Sequence, residues 1–372
     1  MRAVQVQQFG GPEQLRVVEL ADPAPGPREV LIAVAAAGVN RADVLVRSGG
    51  YHRSGRPPLV LGLEGAGTVV ALGPGAADGP NGETGAEGRE GLAVGDRVVA
   101  MGATNAPGFY AELALVPASR VFRVPDGVDL GAAAALPTAW LSAWYCLHRL
   151  AQVRPGETVL VHAAASGVGS AAVQIARDAG GTVLAAAGSP VKAAWARELG
   201  AHEALDSAAL GSDGLVAEVR RLTDGRGADV VLDTVGGDTF AVSLRAAGHA
   251  GRVVALANVA LAPSTVDTRD FYVKNAHIFG FQITDLIEHG YDPRGDLGEL
   301  LTAVAAGRFT VPVDATFPLA EAAEAHRHLE RRQNRGKVLL TTTRQPVAGT
   351  SVAGPAGEVS GVDPARPLGG LS

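Results

Sequence analysis

The stretch TVLVHAAASGVGSAAVQIARDAG, residues 158–180, constrains this chain more than any other. A β-branched apolar run, 158–161, meets a turn of small residues at 163–169. An alanine-rich helical pattern follows to 179 and stops at Gly180-Gly181. Strand, tight turn and helix in that order place backbone N–H groups and a helix N-terminus where a pyrophosphate is received. Small residues are required because a bulky Cβ would hold the phosphates away from those donors. Two registers of the glycine fingerprint are open. In one, its three places are Ala164, Ser166 and Gly169; in the other, the relaxed form Gly167-Val168-Gly169-x-x-Ala172 is read literally.

The pattern around this unit repeats its logic. Apolar runs at 158–163, 182–187, 203–206, 229–233, 252–257 and 277–281 alternate with helical periods. Such βαβ alternation implies a parallel sheet with helices on both faces. Ser189-Pro190 reads as an N-cap followed by proline at the first helical position, and Gly200 ends that helix. Residues 1–125 read differently, as short strands at 2–6, 15–19, 29–36, 65–71, 96–100 and 110–116 between Gly/Pro turns. After 281 an amphipathic helix at 297–306, a loop, a helix at 320–332 and a strand at 338–343 are expected to return to the first domain. The expected fold class is therefore α/β: a β-rich domain from 1–125 and 284–345, with a doubly wound parallel-sheet domain, 126–283, inserted in it. Residues 73–91 contain no aromatic side chain and read as a surface insertion. Residues 346–372, with four prolines, six glycines and no aromatic, read as a disordered tail.

At 372 residues, with 47% hydrophobic and 19% charged side chains, two cores are within reach. A formal net charge of -6 leaves no electrostatic footprint for nucleic acid or an anionic membrane. Cys146 is the only cysteine, which removes internal disulfides and multi-cysteine metal sites, and the nine histidines show no ligand spacing. The uncharged run 130–147 contains Pro137 and is alanine-rich, so it reads as a buried helix. The N-terminal residues lack the basic and apolar regions of a signal peptide, so a cytoplasmic location is expected.

Cofactor preference is legible at the end of the second strand of the inserted domain. A fold that reads NAD places a carboxylate there for the ribose 2′-hydroxyl. The chain has Ala185-Ala-Ala-Gly188-Ser189 and no acid, with Lys192 one turn into the next helix. A helix N-terminus, a hydroxyl and an ammonium together favour a 2′-phosphate, and so NADPH. No Gly-x-Ser-x-Gly or phosphate-loop lysine motif occurs. Hydride chemistry needs neither, because the cofactor carries it.

With these elements in order, the chain resembles the medium-chain dehydrogenase/reductase superfamily. Within it the likeness is to the zinc-free quinone oxidoreductase (zeta-crystallin-like) family, above all the p53-inducible quinone oxidoreductase branch. The segments that carry the likeness are Phe9-Gly-Gly-Pro-Glu13, Ala37-Gly-Val-Asn-Arg-Ala-Asp43, Arg47-Ser-Gly-Gly-Tyr51, Leu61-Gly-Leu-Glu-Gly-Ala-Gly67, Gly95-Asp-Arg-Val98, Gly108-Phe-Tyr-Ala-Glu112, Ala165-Ser-Gly-Val-Gly169, Phe317-Pro-Leu-Ala-Glu-Ala322 and Gly336-Lys-Val-Leu339. The resemblance implies a GroES-like catalytic domain and a Rossmann domain with the cofactor between them. It implies no metal, since Asn40 and Leu63 stand where zinc-dependent relatives have Cys and His. It assigns Asn40 and Tyr51 to the substrate side and Ser142 to the nicotinamide carboxamide. Ala165, Ser166, Gly167, Val168 and Gly169 fall to the pyrophosphate, and Gly188, Ser189, Lys192 and Arg332 to the 2′-phosphate. Ser207 replaces a tyrosine common at that phosphate, Leu45 replaces a second active-site tyrosine, and Asp43 is expected to be structural.

The resulting expectation is an NADPH:quinone oxidoreductase-like enzyme, delivering hydride to a quinone or an α,β-unsaturated carbonyl. An enoyl reductase acting on a natural-product or acyl intermediate is the enzymatic alternative; a non-enzymatic cofactor-binding or RNA-binding protein is the other. A homodimer is expected through the strand at 277–281, where Ile278, Phe279 and Phe281 would lie at a sheet edge.

Overall fold

A computed structural model describes residues 1–77, 91–103 and 106–342. Most of the 73–91 insertion and the whole of the 346–372 tail lie outside the described residues. The strands are β1 (Arg2–Val6), β2 (Leu15–Glu19), β3 (Glu29–Val39), β4 (Leu59–Val60), β5 (Glu64–Leu72), β6 (Arg97–Met101), β7 (Leu113–Pro117) and β8 (Val121–Arg123), followed by β9 (Thr158–Val161), β10 (Thr182–Ala187), β11 (Glu203–Asp206), β12 (Ala228–Asp233), β13 (Ala247–Ala255), β14 (His277–Gly280), β15 (Val313–Pro318) and β16 (Lys337–Thr341).

β9 to β14 form one parallel sheet in the order β11-β10-β9-β12-β13-β14. The strand order reverses beside β9, and that switch point is where doubly wound sheets bind ligands. β9 is buried at all four positions, as a central strand covered by helices on both faces must be. A second, mostly antiparallel sheet runs β15-β16-β3-β5-β6-β8, with β7 also paired to β3. β16 lies antiparallel to β3, Val338 opposite Val39, so the chain rejoins its first sheet after leaving the parallel one. A small sheet, β2-β1-β4, completes the N-terminal half.

Residues 130–150 pass between the two sheets as short α-turns and π-turns, with Leu136, Trp140, Leu141 and Leu147 fully buried. No described helix is long and apolar enough to cross a membrane. Several elements differ from expectation: the helices Arg41–Ser48 and Ile283–Glu288 and the short strands β4 and β8 are not anticipated in the sequence. The segment read as a loop before residue 320 contains β15, and the helix expected over 320–332 is Ala322–Glu330, preceded by a 3-10 turn.

The helices Arg41–Ser48 and Ala322–Glu330 are joined in the core by polar contacts. The Arg47 guanidinium donates to Glu330 (2.5 Å) and to Nδ1 of the buried His326 (3.4 Å). Arginine can only donate, so Nδ1 must be the acceptor and Nε2 carries the proton toward Tyr110 Oη, 3.0 Å away. Burial, with Arg47 and Arg41 beside it, pushes the His326 pKa down to about 3. The unfolded chain therefore takes up a proton on this residue that the folded chain refuses, and its stabilising contribution is lost as pH falls from about 6.5 toward 3. Chemical denaturation of the parent and of His326→Gln across that window should show the parent losing more stability, by up to about 1.4 kcal/mol for each pH unit.

Candidate functional site

The turn after β9 is built as its residues require. Ala163 is left-handed (φ 46°), Ser166 is the N-cap of the helix Gly167–Asp178, and its hydroxyl accepts from Gly169 N at 3.0 Å. A Cβ on Gly169 would lie 2.2 Å from the Ala163 carbonyl oxygen and 2.7 Å from Ala164 Cα. Gly169 thus serves close helix–strand packing, the role of the third fingerprint glycine, and the register Ala164/Ser166/Gly169 is the one adopted. The N–H groups of Gly167 and Val168 belong to the first helical turn and have no intrahelical acceptor. A Cβ on Gly167 would meet Lys337 Cδ at 3.5 Å, and Gly336 N donates to Ala165 O at 2.9 Å. The phosphate-binding turn therefore abuts the returning strand β16.

At the other end, β10 runs out at Ala187 and Gly188, where an added Cβ would meet nothing within 4 Å. Ser189 caps the helix Pro190–Glu198, its hydroxyl accepting from Lys192 N (3.4 Å). The Lys192 ammonium donates to the backbone carbonyl of Arg332, which sits in the left-handed region (φ 54°) just past the helix Ala322–Glu330. Gly188, Ser189, Lys192 and Arg332 thus share one corner, as expected. Arg41 joins them: it donates to Leu329 O (2.9 Å), and burial together with the nearby Arg332 charge lowers its pKa. Burial likewise lowers the pKa of Lys192. The acids nearest this corner are engaged elsewhere, Glu330 with Arg47 and Asp314 with His328 (2.7 Å). Ser207 turns away, donating to Ala187 O at 3.0 Å.

Asn40 lies at the end of β3 as N-cap of the helix Arg41–Ser48, in a buried network absent from the sequence reading. Its Nδ2 donates to Glu64 Oε1 (2.8 Å) and to Gly38 O (3.4 Å); its Oδ1 accepts from Lys337 Nζ (2.5 Å). Lys337 also donates to Glu64 Oε1, while Glu64 Oε2 accepts from Thr138 N at 2.7 Å. Glu64 is fully buried and Lys337 is 5% exposed. Gly38 is glycine because a Cβ would fall 2.3 Å from that carboxylate. Both amide hydrogens of Asn40 are therefore committed, and its side chain also closes a reciprocal capping box with Asp43. Asp43, as expected, is structural: it accepts from Asn40 N (2.8 Å) and Gly62 N (3.3 Å), and burial raises its pKa to about 7.

Tyr51 is half-buried beyond the helix, its hydroxyl accepting from Gln282 Nε2 at 3.2 Å. Ser142 is buried in the turn Leu141–Trp144. The sequence flags only Glu64, a lone charge within an apolar stretch; Lys337 ends a run of cations and carries no such signal. Of the three residues expected at the sheet edge, only Ile278 is exposed; Phe279 and Phe281 pack against the core, the latter on Tyr145.

A helix N-terminus that no Cβ obstructs at one end and a corner of cations at the other fit a nicotinamide dinucleotide, on a frame of GroES-like and Rossmann domains. Residues 26–126 match the alcohol dehydrogenase GroES-like domain family and residues 167–300 the zinc-binding dehydrogenase family. The chain is 34% identical over 342 residues to a quinone oxidoreductase of Pseudomonas aeruginosa, covering 91% of this chain and 99% of that one. It is 33% identical over 338 residues to the phthioceranic/hydroxyphthioceranic acid synthase of Mycobacterium tuberculosis, covering 90% of this chain but only 15% of the synthase. The structure of mycobacterial Rv1454c complexed with NADPH superposes with a TM-score of 0.80 at 34% identity, over 92% of this chain and 100% of that one. That of the CurK enoyl reductase gives 0.78 at 28%, over 92% and 99%. The chain belongs to the medium-chain dehydrogenase/reductase superfamily, among its zinc-free, quinone-reductase-like members.

Removing one partner of a buried ion pair strands the other, at a cost of about 3–5 kcal/mol, whereas replacing both is far milder. Lys337→Met alone should therefore destabilise the protein by that amount in urea unfolding. Lys337→Met with Glu64→Gln should recover most of the loss.

Proposed function

We propose that this protein is an NADPH-dependent, zinc-independent reductase that delivers hydride to a quinone or an α,β-unsaturated carbonyl. The observation that carries the reading is the corner of Lys192, Arg332 and Arg41, at the end of a strand lacking the ribose-binding acid: among the described residues its nearest acids, Glu330 and Asp314, are ion-paired elsewhere, with Arg47 and His328. Like charges gathered with no ion-pair partner of their own suit an anion such as the 2′-phosphate. When bound, the cofactor supplies the hydride.

This chain's residues orient and enclose. Gly167, Val168 and the helix N-terminus hold the pyrophosphate. Asn40, its side chain committed to Glu64, Gly38, Lys337 and the capping box with Asp43, orders the end of β3 on the substrate side. The Ser142 hydroxyl contacts the carboxamide, and Tyr51 covers the acceptor. The titratable groups buried beside Asn40 are already hydrogen-bonded within the protein, so the oxyanion left by reduction takes its proton from water. An enoyl-thioester acceptor is the second reading, supported by the likeness to an enoyl reductase over nearly the whole chain. Following NADPH oxidation with a benzoquinone series, an enone series and an enoyl-thioester series decides between them.

A charge-assisted bond to phosphate contributes about 1.5–3 kcal/mol, or roughly 10- to 150-fold in affinity. Lys192→Ala should weaken NADPH binding within that range and leave NADH almost unchanged in fluorescence titrations. Equal weakening of both would make Lys192 structural.

We further propose that two copies pair along β14. It is the terminal strand of the parallel sheet, and Ile278 on it is 43% exposed, with Tyr272 and Val273 exposed nearby in sequence. An open apolar edge is stabilised by pairing with its own copy. Light scattering should give twice the chain mass at micromolar concentration, and Ile278→Lys should shift it toward the monomer.

A further inference from the structure

We propose that Gln282 is a positioning residue that holds the Tyr51 hydroxyl as a one-way hydrogen-bond donor to the acceptor oxygen; this rests on the placement of Tyr51 over the acceptor. Gln282 follows β14 and is the N-cap of the helix Ile283–Glu288. Its Oε1 accepts from Asp285 N, which fixes the amide's orientation and leaves Nε2 facing Tyr51. Nε2 can only donate, so at 3.2 Å the Tyr51 oxygen is the acceptor and the tyrosine's own proton is left to point elsewhere. None of the described residues takes that proton. Arg53 ties the same two segments together, pairing with Asp285 (3.3 Å) and Glu288. The cap thus reads out as direction: N–H to phenol oxygen, phenol O–H to the ligand, a chain in which each bond polarises the next.

The chemistry gives that direction a use. As a hydride adds to the electrophilic carbon of a quinone or enone, the π pair moves onto the carbonyl oxygen. The Tyr51 O–H···O bond strengthens with the charge that develops there, and water afterwards supplies the proton. A donor that tightens only as charge develops acts on kcat more than on KM.

Gln282→Glu separates this role from a capping role. The glutamate keeps an oxygen to accept from Asp285 N, and a carboxylate is a good N-cap. At Tyr51 it presents an acceptor, which captures the phenol proton and reverses the chain. Gln282→Glu should lower kcat/KM about tenfold, mainly through kcat, as Tyr51→Phe does, with the NADPH dissociation constant unchanged. The double variant should be no worse than either single one. Parental kcat/KM in Gln282→Glu beside an impaired Tyr51→Phe overturns the relay alone, as does a double variant whose loss is the product of the two. Parental activity in Tyr51→Phe overturns the placement of Tyr51 and the relay with it.

Discussion

The buried contact of Lys337 with Glu64 and Asn40 is the constraint on which the rest of this site depends. Burying two opposite charges costs several kcal/mol per ion unless their geometry and remaining hydrogen bonds compensate. Here Glu64 spends one oxygen on Lys337 and Asn40 and the other on Thr138 N. Four segments are fixed at once: the end of β3, the start of β5, the π-turn 136–140 and the start of β16. Because β16 returns only after the whole parallel sheet, the pair closes the chain over its inserted domain. The Lys337 stem also lies against Gly167, so the side chain that orders Asn40 borders the phosphate-binding turn.

Two kinds of cation are thereby distinguished on physical grounds. Lys337 is 5% exposed and bonded to a carboxylate, so its charge is balanced within the protein. Among the described residues, Lys192 and Arg41 bond backbone carbonyls, and their pKa values are lowered by burial. A carbonyl dipole holds such a cation in place without neutralising it. The first kind specifies structure, while the second leaves a field that an anionic ligand completes.

What the sequence disclosed follows from how local each signal is. β1, β2, β10 and β11 match their expected bounds because alternation or an apolar run between turns is confined to each segment. Ser189 and Gly169 were legible for the same reason, a cap and a close packing contact being set within a few residues. The helix Arg41–Ser48 carries only eight residues and two valines, too short for a helical period to emerge. β15 is half-exposed and mixes polar with apolar positions, so it reads as a connection. Lys337 meets Glu64 across 273 residues and Gln282 meets Tyr51 across 231, and no spacing rule reaches so far. The resemblance placed Asn40 at the site; only the geometry shows that its donors are already used.

The polar groups buried beside the substrate side lead to one chemical conclusion. Burial holds the Asp43 pKa near 7 and raises that of Tyr110, but both point into the core, toward backbone N–H groups and His326. Neither is placed to hand a proton to a ligand. The remaining donor, Tyr51, is a hydrogen-bonding phenol whose own lone pair is already held by Gln282. On the proposed placement of Tyr51 over the acceptor, its O–H stabilises the negative charge that develops on the acceptor oxygen. Such a site therefore suits acceptors whose reduced form is an oxyanion delocalised into a π system, as hydroquinone and enolate anions are. On the proposed reading, substrate class is thus set by the oxyanion that these donors stabilise.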